Sequence, residues 1–112
     1  MKLITAIVRP EKLDAIREQL ESEGVQGLTV SGASGYGRQR GYVQVYRGAE
    51  YSVDLIPKIR IEVLSTDEQA EEILESMITA ASTGSQGDGK IWVVEVQDAV
   101  RVRTGERGAS AI

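Results

Sequence analysis

The chain has 112 residues, enough for one domain around one core. With 41% hydrophobic residues, 27% charged residues and a formal net charge of −4, it reads as globular, and nucleic acid is not an expected partner. Cysteine and histidine are both missing, which removes disulfides, a thiol nucleophile, the commonest general base and the commonest metal ligand.

Lys2 to Arg9 is rich in β-branched residues and predicts a first strand, with Leu3 and Ile7 on one face and Ile4, Ala6 and Val8 on the other. Met1 to Val8 lacks the long apolar core of a signal peptide, and no run approaches the roughly 20 apolar residues of a membrane helix, so a cytoplasmic location is expected. Pro10 suits the first position of a helix in which Leu13, Ile16 and Leu20 recur until Gly24 stops the pattern. Val25 to Val30 reads as a second strand. Ile59, Ile61 and Val63, alternating with Arg60 and Glu62 after Pro57, read as a half-buried third. Thr66 with Gln69 resembles a capping box, behind which Ala70, Ile73, Leu74, Met77, Ile78 and Ala81 trace a helix face. Ile91 to Val96 forms the last strand.

The order β-α-β-β-α-β predicts an α+β, ferredoxin-like split βαβ sandwich. A weak internal repeat agrees with it: Leu13, Ile16 and Leu20 return as Ala70, Ile73 and Met77, each at the same offset along the chain. Helices would cover one face of such a sheet, so neighbouring subunits are expected on the other. The segment from Tyr36 to Leu55 carries Gly37, Gly41, Gly48, Tyr42, Tyr46, Tyr51 and three arginines, and a loop of that length in a compact domain is usually functional or disordered. Its composition suits adaptable binding.

Charge is unevenly placed. Acids crowd Glu11 to Glu23 and Asp67 to Glu75, whereas Arg38, Arg40, Arg47 and Lys58 form one basic region and Arg101, Arg103 and Arg107 another. Gly84-Ser85-Gln86-Gly87-Asp88-Gly89-Lys90 approaches the phosphate loop G-x-x-x-x-G-K-[ST]. Ile91 stands where the magnesium-binding hydroxyl belongs, however, and the segment runs from helix to strand. Two readings remain for it: an anion cradle of backbone N–H groups with the Lys90 charge, or a tight turn with a solvated lysine. Arg101 and Arg103, one residue apart, would share a side of an extended segment and could clamp phosphates; the other reading is a solvated tail. Trp92, taken alone, reads as core. Glu50 and Asp54 form no acid/base pair by spacing, and no nucleophile has a partner base, so no catalytic role beyond at most slow ATP hydrolysis is expected.

Taken together and in order, these segments resemble the nitrogen-regulatory PII signal-transduction family over the whole chain. Tyr46-Arg47-Gly48-Ala49-Glu50-Tyr51 is similar to its nucleotidylylation signature, and Thr83 to Val93 (TGSQGDGKIWV) to its second signature. Gly37-Arg38-Gln39 and Arg101 to Gly108 (RVRTGERG) are similar to its remaining ligand-loop motifs. The resemblance implies a single PII-type domain over 1–112. Within it lie a flexible T-loop at about 37–55, a B-loop at about 82–90 and a C-loop at 101–108.

It also implies a homotrimer with ATP or ADP in clefts between subunits. Gly87, Asp88, Gly89 and Lys90 would cradle phosphates, Arg101 and Arg103 would approach from the neighbour, and Ile7, Thr29, Gly35, Gly37, Arg38, Leu64 and Trp92 would complete the pocket. Gln39 is implied as the side-chain oxygen that helps hold Mg²⁺ with ATP phosphates and 2-oxoglutarate, a hard cation suited to oxygen ligands. Lys58 would pair with the distal carboxylate of 2-oxoglutarate, and Arg9, Gly41 and Gly87 would line that region. Tyr51 is implied as a site of uridylylation or adenylylation by a nucleotidylyltransferase. Arg47 would contact an ammonium transporter, which would recruit the protein to the membrane, and control of glutamine synthetase is the other implied output. Gln86 stands where the family usually has an aliphatic residue, Tyr42-Val43-Gln44 replaces a polar stretch containing histidine and glutamate, and Ser34 replaces an often charged residue.

The alternative within the same resemblance is an adenine-nucleotide sensor serving another transporter or a carbon pathway; Gln39, Lys58 and Tyr51 favour the nitrogen reading. A small ATP-using enzyme lacks a base or nucleophile here. A nucleic-acid-binding ferredoxin-like module is disfavoured by the acidic helices and by strands without phenylalanine.

Overall fold

A computed structural model describes residues 1–37, 42–46, 49–53 and 55–112, the backbone alone for 42–46 and 49–53. Strand β1 (Lys2–Val8) leads through a 3₁₀ turn at Pro10–Lys12 into helix α1 (Leu13–Ser22) and then strand β2 (Thr29–Gly35). Strands β3 (Tyr42–Tyr46) and β4 (Ala49–Val53) pair with each other, and β5 (Ile56–Ser65), α2 (Asp67–Ala81) and β6 (Gly89–Glu95) follow. The main sheet runs β2-β5-β1-β6, with every neighbouring pair antiparallel. Each strand-helix-strand half thus admits a strand of the other half between its own two, which is the split βαβ arrangement of the ferredoxin-like fold. Among the described residues no helix is long and apolar enough to cross a membrane.

Strand alternation sends Ile4, Ala6 and Val8 of β1 and Ile61 and Val63 of β5 to one face, where all are buried. Ile16 and Leu20 of α1 and Ala70, Ile73, Met77 and Ala81 of α2 meet them there in one core. The repeated triplets fall on these two inward helix faces, with Leu13 packed at the core's margin. The opposite face carries Leu3, Thr5 and Ile7 beside Leu64, Trp92 and Val94 in register. Trp92, Leu64 and Val94 keep 42%, 42% and 46% of their surface exposed, too much for core residues. Position in a strand therefore misplaces Trp92, because among the described residues no second layer covers this side of the sheet.

The second strand also departs from expectation. Gly24, at φ 86, closes α1 with its N–H on the Glu21 carbonyl, while the Val25 N–H reaches the Leu20 carbonyl at 3.0 Å. This is a Schellman cap, and it commits Val25 to the helix end rather than to a strand. Pairing begins only at Thr29, opposite Glu62, and continues to Gly35. The third strand starts before Pro57 rather than after it. Pro57 pairs with Ser34 beyond the last β1 partner, Ile59, where its missing N–H costs the central ladder nothing. Thr66 caps α2 without a side-chain bond, so the capping box does not form; acidic Asp67 and Glu68 occupy the first turn, where the helix dipole favours them. The last strand begins two residues early, at Gly89. Within the long segment before β5, β3 and β4 form a ladder from Tyr42 opposite Val53 to Tyr46 opposite Ala49.

Candidate functional site

At the Gly89 end of the sheet, the turn from α2 to β6 faces the end of β2 and the start of β5 across a cleft of about 740 Å³. Ile7 and Trp92 contribute apolar wall, Lys58 and Lys90 contribute cations, and Ser85 through Gly89 form one rim. Gly35, Tyr36 and Gly37 form part of the facing side.

The rim is a closed loop. Asp88 turns its carboxylate back on the loop's entrance: Oδ2 accepts the N–H of Thr83 at 2.7 Å and of Gly84 at 2.9 Å, and Oδ1 accepts the Thr83 hydroxyl at 2.5 Å. Those donors, the Thr83 hydroxyl foremost, hold the Asp88 carboxyl well below the usual carboxylate range, with the Arg9 guanidinium adding to the effect. Lys58 Nζ donates to the Gly87 carbonyl at 2.7 Å. Burial lowers its pKa from the ordinary 10.5, and the nearby Arg9 charge lowers it further.

Gly89 explains why β6 can start so close to β1. A Cβ built there would lie 1.8 Å from the Ile7 carbonyl oxygen, on a backbone already at φ +101. Only glycine fits. Gly87, at φ 97, makes the preceding turn in a conformation that side chains rarely adopt.

The cleft thus unites Ile7, Gly35, Gly37, Lys58, Gly87, Asp88, Gly89, Lys90 and Trp92, a set spread over most of the sequence. Arg9 does not line it but bonds to two residues that do, Gln86 and Asp88. Thr29 and Leu64 sit on the open sheet face, away from the cleft lining. Arg101 and Arg103 are likewise outside the lining. They do not share a side of an extended segment, because residues 102–104 turn and Val100 bridges to Arg107. Arg101 bonds Glu106 at 3.4 Å inside that turn. Arg38, Gln39, Gly41 and Arg47 lie outside the described residues, and Tyr51 is placed only as a backbone position in β4, opposite Gln44. Tyr36, Ile56, Ser85 and Gln86 join the lining without having been singled out as site residues. The glycines flanking Tyr36 were the available signal for it; Ile56 carried none.

The architecture is that of a small α+β domain, and its cleft carries a glycine loop and two lysines, groups whose chemistry suits an anion. The family model described as "Nitrogen regulatory protein P-II" matches residues 1–106, and the chain belongs to that family. Over 112 residues, covering both chains in full, it is 52% identical to the nitrogen regulatory protein P-II of Rhizobium meliloti (strain 1021). Over the same span it is 50% identical to the nitrogen regulatory protein GlnK of Escherichia coli (strain K12) and 51% identical to the nitrogen regulatory protein P-II of Rhodospirillum rubrum. Membership places the chain among regulatory proteins and supports a role in nitrogen regulation.

Proposed function

We propose that the chain is a trimeric sensor of ATP or ADP and 2-oxoglutarate that regulates nitrogen-assimilation proteins through the segment between β2 and β5. The observation that carries this reading is the cleft itself. A glycine loop closed by its own Asp88 borders a volume of about 740 Å³ that also holds Lys58, Lys90, Ile7 and Trp92. Backbone N–H groups and a lysine suit phosphates, and apolar wall suits a base. Arg101 and Arg103 lie outside this chain's cleft lining and would approach the cleft of a neighbouring copy.

ATP, when bound, supplies a γ-phosphate and with it oxygen ligands for Mg²⁺. Among the described residues no group of three or more carboxylate or similar ligands could hold a metal, so the ion would depend on phosphate oxygens and the Gln39 amide. Lys58, partly desolvated beside Arg9, is suited to a carboxylate that restores its charge balance. ATP binding would then build the diacid site, and linkage requires the diacid to tighten ATP in return. Gln39 and Gly41 lie in the sequence between β2 and β3, so occupancy would reach the Tyr51 and Arg47 region, where a nucleotidylyltransferase and an ammonium transporter would act.

Calorimetric titration of 2-oxoglutarate with MgATP, with MgADP and with neither tests the reading. Tight binding is expected only with MgATP, and Gln39→Ala should abolish it. Equal binding in all three conditions would exclude the magnesium bridge.

A further inference from the structure

Arg9 follows β1 and caps the 3₁₀ turn at Pro10–Lys12, and its guanidinium spans the base of the glycine loop. Its Nε donates to Asp88 Oδ1 at 3.2 Å and its Nη2 to the Gln86 carbonyl at 2.6 Å. Only 18% of the Arg9 side chain and 22% of the Asp88 side chain remain exposed, so this is a sheltered pair rather than a surface contact. Through Asp88 the same guanidinium is tied to the Thr83 and Gly84 N–H groups at the loop's entrance.

The bond to Gln86 has a directional consequence. A trans peptide is planar, so its carbonyl and the following N–H point in opposite directions. Fixing the Gln86 carbonyl toward Arg9 therefore aims the Gly87 N–H away from Arg9. That N–H has no protein partner among the described residues, and Gly87 lines the cleft.

We infer that Arg9 is a positioning residue for nucleotide phosphate, setting the loop's backbone through Asp88 and the Gln86 carbonyl. This rests on the nucleotide reading above and gives Arg9 a task beside the diacid-lining one that the family resemblance implies.

The test is ADP and adenosine binding by the full chain in its native assembly, without 2-oxoglutarate. Arg9→Gln should weaken ADP about tenfold while adenosine, which has no phosphate, stays within about twofold. Arg9→Lys, which can still reach one acceptor, should fall between. Asp88→Asn weakens the shared Arg9–Asp88 link from its other end and leaves the Gln86 bond, so the double variant should be weaker than either single variant but short of additive. It also carries the test if Arg9→Gln fails to fold.

Unchanged ADP affinity in Arg9→Gln would overturn the inference, as would equal loss of ADP and adenosine or additive losses in the double variant. If the unaltered protein binds no ADP, the nucleotide reading itself fails and this inference falls with it.

Discussion

The two faces of the main sheet follow different rules although the same strands build both. The helix-backed face seals Ile4, Ala6, Val8, Ile61 and Val63 against α1 and α2. The opposite face leaves Leu64, Trp92 and Val94 more than two-fifths exposed, with buried Thr5 between Glu62 and Trp92. A chain of this length has enough apolar residues for one sealed layer, and a half-wet apolar sheet face is what a partner surface looks like before it is covered. The core therefore answers for the fold of one chain, and the proposed assembly would draw on the open face with its adjoining cleft.

The sharpest break is at the point where the faces meet the cleft. Gly89→Ala forces a methyl group against the Ile7 carbonyl at φ +101 and should destabilise by on the order of 4 kcal/mol, measured by urea unfolding. ADP binding should be lost with it. On the sealed face, Met77→Ala opens a fully buried site and should cost about 3 kcal/mol, with ADP affinity in the surviving folded protein little changed. On the open face, Leu64→Ser should cost the isolated chain under about 1 kcal/mol yet shift the assembly toward monomer in sedimentation. Equal losses of stability from Met77→Ala and Leu64→Ser, with no change in assembly, would erase the distinction between the faces.

Two pH effects are smaller. Lys58 titrates below 10.5, and a dicarboxylate needs its ammonium form, so 2-oxoglutarate affinity should fall as pH rises through that lowered value. Asp88 behaves in the opposite sense. Its depressed pKa makes its contribution fully present above the unfolded value of about 3.9 and lost only as pH falls through the folded one. The amide signals of Thr83 and Gly84 should therefore hold steady between about pH 7 and pH 5 and move only in stronger acid.

Periodicity made β1, α1, β5 and α2 readable, because each presents apolar residues to one core at the spacing its element requires. β2 was misplaced because Thr29 to Gly35 is mostly small or polar and pairs at a sheet edge, whereas apolar Val25 serves a helix cap. The β3–β4 ladder was hidden in a stretch read as loop for its glycines and arginines. At the site, the glycine loop and Lys90 were legible because their spacing is local. The link from Arg9 to Asp88 joins residues 79 positions apart, and no local pattern encodes it. Arg101 and Arg103 were read as a strand-like pair because alternation was assumed where the chain turns.

Sedimentation equilibrium of the full chain with bound ADP counted at saturation tests the central claim most directly. A particle of about three times the 12.2 kDa chain carrying three ADP molecules is the predicted result. A 12.2 kDa particle that takes up no adenine nucleotide would contradict it.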